Sequence, residues 1–312
     1  MNKERRRHEL STIRQFFQDQ WSHLGKLFDQ LLSADTQETQ VSAKIVESVV
    51  TSTNARIRIV GNYKKRLRRS IKSLLEYVDL LAMVIPDPID ANPDHFGIDQ
   101  HLNAFFVSKE HIAETFGSSE SLRQFLKDPK NIYVGDVYAI LLMSKLKKTV
   151  FGSKYSGDML LRDVKQKSLT FSEHSVQSPT GSKEDLRDVL KQLMVENFIS
   201  YAKRHIAFLK IERENKGSNE SLLNPENYLH ELCHILENPH ELFGLKLSGK
   251  RVDKMGILLE KDQKGPMNEL NLREFIFGDD EKRTVVLVKY PRNKMPEEKN
   301  MLSEAKKILG TI

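Results

Sequence analysis

Apolar residues recur every seven positions over the first part of the chain. Leu10, Phe17, Leu24 and Leu31 form one row, and Arg14, Trp21 and Phe28 a second at the same spacing, which predicts a helix over about 8–33 with an a/d-type seam. Asp35-Thr36-Gln37-Glu38 then has the spacing of a capping box. After it Val60, Leu67, Leu74 and Leu81 repeat at seven, interleaved with Ile71, Val78 and Ile85, and predict a second long helix. Two such seams shield each other from water when the helices fold back as an antiparallel hairpin over 1–85. Dimerisation through the same seams satisfies the pattern as well.

Pro86, Pro88 and Pro93 stop that helix and open a compact region over 86–216. Within it, 137–150 is apolar on nearly every face, as a helix in the centre of a core would be. Lys145, Lys147 and Lys148 fit its last turn, and Gly152 its C-cap. Residues 153–181 show little periodicity. Ser182 with Asp185 opens a long helix whose apolar side is Leu186, Leu190, Leu193, Ile199, Ala202, Ile206 and Leu209.

A linker begins at Gly217, a short amphipathic helix over 228–236 follows with Tyr228, Leu229, Leu232, Ile235 and Leu236 on its apolar side, and the period then changes from helical to alternating. Strands are predicted at 245–247, 255–259, 272–277 and 285–290, the last two joined as an antiparallel hairpin through Gly278-Asp279-Asp280. Pro291 ends that hairpin, and Pro296 opens a short final helix. The expected fold class is therefore mainly α with a small C-terminal antiparallel β part: a long hairpin (1–85), a compact helical region (86–216) and a small α+β domain (217–312).

Composition places this architecture in water. Of 312 residues, 39% are hydrophobic and 29% charged, with no uncharged apolar run of membrane-spanning length and an N-terminus that lacks a secretory core, so a cytoplasmic protein is expected. One cysteine, Cys233, rules out a disulfide framework within the chain and any cysteine-based zinc cluster. A formal charge of +6 is modest, but Lys64, Lys65, Arg66, Arg68, Arg69 and Lys72 concentrate it on one predicted helix. These six are candidates for gripping phosphates of nucleic acid or an anionic surface.

His230-Glu231-Leu232-Cys233-His234 is the stretch with the most specific chemistry. Histidines at i and i+4 share a helical face, where they can ligate one zinc ion while the glutamate acts as general base on a bound water. The pattern resembles zincin metalloproteases, which would make His230 and His234 metal ligands and Glu231 catalytic. His240 lies where metzincins place a third ligand, but Glu237 occupies the position at which they need glycine to turn the chain. The gluzincin arrangement needs a glutamate on a later helix, and strands are expected there instead.

Residues 108–126, with Ala113 where two helices would cross and Gly117 in the turn, resemble a helix-turn-helix, although the anchor Leu122 comes one residue early. An ordinary helical hairpin explains them too. Asp158, Asp163, Glu173 and His174 supply acids near a histidine without any fixed spacing. No phosphate-binding glycine loop and no G-x-S-x-G elbow occurs.

The leading functional expectation is a non-catalytic scaffold, adaptor or regulator acting through helical surfaces with a basic rim, needing no cofactor and binding a protein partner or itself. The alternatives are a zinc-dependent hydrolase built on 230–234 and a nucleic-acid-associated protein built on 63–72.

Overall fold

A computed structural model describes residues 38–156, 159–215, 222–253, 255–259, 267–278 and 281–296. The predicted helix over 8–33, the capping box at 35–38 and the final helix after Pro296 lie wholly or mostly outside them. Among the described residues there are seven α-helices and six strands. They divide into two compact units, one numbered Met1–Leu80 with Lys191–Phe243 and the other Leu81–Leu190 with Gly244–Ile312.

The first unit holds α1 (Glu38–Thr53), most of α2 (Tyr63–Val84), the larger part of α6 (Lys183–Asn215) and α7 (Pro225–Glu237). The predicted second seam helix is not one rod. Asn54 caps a 3-10 turn over Ala55–Ile59, and Asn62 has a left-handed backbone (φ 61°), so Val60 falls in the connection while Leu67, Ile71, Leu74 and Val78 are buried along α2. Asn224 and Pro225 start α7, which buries Leu229, Leu232, Ile235 and Leu236. Arg66 of α2 pairs with Glu226 of α7, and the Ser70 hydroxyl donates to Glu237 at 2.8 Å.

The second unit overturns the expectation of a mainly helical protein with a helical middle. Residues 137–150 form no core helix: they belong to β2 (Asp136–Ser156), which pairs with β3 (Met159–Thr180) in a long hairpin. With β1 (Ile89–Asp90), β4 (Phe243–Val252), β5 (Asn268–Phe277) and β6 (Glu281–Pro291) they build a six-stranded sheet ordered β3-β2-β6-β5-β4. The pairs β2–β3, β2–β6 and β5–β6 are antiparallel, and short β1 lies parallel to β6. The physical reason is burial on both faces. Val137, Ala139, Leu141 and Met143 point to one side and Ile140 to the other, and all five are buried, so the strand reads as a continuous apolar run indistinguishable from a buried helix.

β3 hid from the sequence for a second reason. Its register against β2 jumps by one residue between Tyr138 and Ile140, between Leu142 and Ser144, and between Gly152 and Lys154. Each jump is a bulge in β3 with a left-handed residue: Ser178 (φ 52°), Glu173 (φ 52°) and Asp163 (φ 56°). The bulge at Glu173 reverses the parity of the strand. Val176 on one side of it and Phe171 and Leu169 on the other all join the same core, so no period-two pattern survives.

Beyond the end of β4, Val252 bridges Leu258 and Ile257 bridges Ser168 of β3, so the hydrogen-bonded path returns to the strand it started from. The curled sheet wraps a core shared with α3 (Gln100–Phe105), α4 (Lys109–Gly117) and α5 (Glu120–Lys127), which contribute Leu102, Phe105, Ile112, Phe116 and Leu122. Ser108 and Ser119 cap α4 and α5 through their side-chain oxygens, as an ordinary helical hairpin requires. The Phe116 ring stacks on Tyr290 at 4.2 Å between centroids, and Gly117 leaves the room in which Pro296 sits.

Candidate functional site

The basic segment of α2 separates into two groups. Lys64 lies 3.4 Å from Glu47, which also accepts from Arg58 and from the Tyr63 hydroxyl. The Tyr63 bond, helped by Arg58 and Lys64, holds the Glu47 carboxyl below the usual carboxylate range. Arg66 is committed to Glu226. These two of the six candidates are therefore paired with carboxylates of the same unit.

The other four, Lys65, Arg68, Arg69 and Lys72, stand at i, i+3, i+4 and i+7. At about 100° per residue they fall within one sector of roughly 100°, on the side of α2 opposite Leu67, Ser70, Ile71 and Leu74. All four are exposed, and no acidic partner contacts them among the described residues. Burial of the seam is thus what turns the stripe outward. Glu76 and Asp79 follow on the same sector, and Asp79 is taken up by Lys191 at 2.9 Å.

His230, Glu231 and His234 do lie on one side of α7, with both imidazoles exposed. Glu231 is engaged by Arg213 of α6, an ion pair that ties the two helices. No group of three His, Cys, Asp or Glu suited to a metal ion occurs among the described residues. His240 follows in a 3-10 turn over Pro239–Glu241 with its side chain exposed.

Of the acids and histidine scattered through 158–174, Glu173 accepts from Arg283 at 2.6 Å and from Ser144 at 2.7 Å. His174 instead faces α3 and α4. Its Nε2–H donates to the Phe105 carbonyl at 2.8 Å, its ring stacks on Phe106, and the His111 ring stands edge-on 4.9 Å away. Burial pushes the His174 pKa down, with His111 adding to the effect and the Phe105 carbonyl opposing it. The helix-turn-helix likeness does not place a free reading helix: α5 buries Leu122 and packs on β3, and Arg123 donates to the Gly117 carbonyl at 2.5 Å.

A second basic surface escaped the sequence reading, on the outer part of the β2–β3 hairpin. β6 pairs with β2 only as far as Met143, so among the described residues β3 is the one strand alongside 144–156. Thr149 lies opposite Lys167, Phe151 opposite Lys165, and Lys147 opposite Leu169, which puts Lys147, Thr149, Phe151, Lys165 and Lys167 on one face. All five are exposed. No period-two signal marks this face in the sequence, because Lys147 and Lys148 are adjacent and so are Val150 and Phe151, and the lysines read as the end of a helix.

Comparison with protein-family models, curated proteins and solved structures gave no match. No described helix is long and apolar enough to cross a membrane.

Proposed function

We propose that the protein acts by binding, and that its partner is a nucleic acid gripped through phosphates by the stripe Lys65, Arg68, Arg69 and Lys72. The observation that carries this reading is the segregation of four cations onto the exposed side of α2, with Lys64 and Arg66 drawn off into ion pairs. The stripe covers about 10 Å of helix axis, matching the axial rise of roughly three nucleotide steps. Cations so arranged fix position without reading bases, so binding through them is insensitive to sequence.

The test is fluorescence anisotropy with labelled oligonucleotides between about 50 and 200 mM salt. Four phosphate contacts predict a log–log slope near −3.6 and an affinity loss of about 100-fold over that range. Changing Lys65, Arg68, Arg69 and Lys72 together to Gln should remove most of the slope. Binding that ignores both salt and these substitutions overturns the reading.

A further inference from the structure

We infer that the outer β2–β3 ribbon is a second nucleic-acid contact, one that enters the major groove of B-form duplex DNA. The inference rests on the nucleic-acid reading above but uses different residues in the other unit.

The ribbon continues the inner face of the sheet outward and changes its chemistry step by step. Val137, Ala139, Leu141 and Met143 are core; Lys145 is paired with the buried Glu274; Lys147, Thr149 and Phe151 are exposed, with Leu169, Lys167 and Lys165 across from them. Asp163, two residues from Lys165 and so on the same side by alternation, is the acid of the ribbon at its bulge, set against three lysines on that face. Lys148 and Arg162 add exposed positive charge beside it. An exposed face this rich in lysine calls for a polyanion.

Shape then selects the duplex. Outward of Lys167, where the segment at Ile257 and Leu258 leaves β3, two strands about 4.8 Å apart form a blade that a groove about 12 Å wide admits, whereas the deep, narrow major groove of A-form RNA does not. From Lys147 to Phe151 the face runs about 13 Å, close to the rise of four base pairs. Lysine can donate to guanine O6 and N7, threonine can pair with either edge, and an aromatic ring can meet a thymine methyl. A single-stranded partner would call for a row of stacking rings, and among Lys147, Thr149, Phe151, Lys165 and Lys167 only Phe151 supplies one. An anionic bilayer fits less well, because the Lys165 ammonium stands over the Phe151 ring at 6.0 Å and would be carried with it into the acyl region.

The experiment compares three full-length proteins at about 150 mM salt: wild type, K147Q/K165Q/K167Q, and the charge-restoring K147R/K165R/K167R, each checked for an unchanged melting temperature. Probes are duplex DNA, the same duplex methylated at guanine N7, duplex RNA, single-stranded DNA and phosphatidylserine vesicles. Expected is a roughly 10- to 100-fold loss of duplex-DNA affinity in the Gln variant and recovery in the Arg variant. Wild type should bind N7-methylated duplex as weakly as the Gln variant binds the unmodified one, with single-strand binding unchanged. Unchanged duplex binding in the Gln variant, indifference of wild type to methylation, equal loss on duplex RNA, or loss confined to vesicles overturns the inference. If the α2-stripe variant loses binding while the ribbon variant does not, only this inference fails. If wild type binds no nucleic acid, the reading beneath it fails as well.

Discussion

Lys145 distinguishes the observed fold from the one its sequence suggests. On the end of a solvated helix its substitution would change stability by no more than about 0.5 kcal/mol. On the inner face of β2 it pairs with Glu274, and the two side chains are only 16% and 4% exposed. Thr284, opposite both Glu274 and Met143 and itself buried, closes the surroundings. Lys145→Met therefore strands a carboxylate in a nearly dry position, at a cost of about 3–5 kcal/mol. Glu274→Gln should cost less, because the longer lysine retains more water. The double variant K145M/E274L extends the apolar rows of Met143 and Leu272 and should return to within about 1 kcal/mol of wild type. For a unit of this size the single Met substitution corresponds to a fall of roughly 6–20 °C in melting temperature. Chemical and thermal denaturation of wild type, Lys145→Met, Glu274→Leu and the double variant gives the coupling energy directly. A cost below about 1 kcal/mol for Lys145→Met, or a coupling near zero, would refute the placement of this lysine inside the sheet.

Two further outcomes follow from the same unit. Because burial lowers the His174 pKa, the unfolded chain takes up that proton first as pH falls, so the contribution of the neutral imidazole is present at neutral pH and lost as pH drops through the ordinary histidine value of 6.5; His174→Gln should flatten stability between pH 7.5 and 5.5, and an unchanged profile would remove His174 as its source. A Cβ on Gly117 would lie 2.2 Å from Pro296 Cγ, so Gly117→Ala should cost about 1–3 kcal/mol in thermal unfolding and be relieved by Pro296→Ala; a harmless Gly117→Ala would show that this contact is not made.

Much of the helical structure was legible in the residues. Ser182 with Asp185 does start α6, the Ser182 hydroxyl donating to the Asp185 carboxylate at 2.7 Å and accepting from its N–H at 3.1 Å. The apolar side of α7 and the exposure of His230 and His234 follow from helical spacing. The β5–β6 hairpin follows from alternation across Gly278, which adopts the left-handed backbone the turn needs. The basic stripe was legible as a cluster, but not which of its members were free: Glu47 and Glu226 reach Lys64 and Arg66 from other elements, and no local rule names them.

Local sequence therefore determined the elements whose period one environment enforces: amphipathic helices with a single buried side, and strands with alternating burial. Tertiary structure alone decided β2, β3 and the ribbon surface. β2 is covered on both faces and so loses its alternation, while the bulges at Asp163, Glu173 and Ser178 shift β3 out of phase with itself. A periodic signal records a constant environment, and in these two strands the environment changes along the chain.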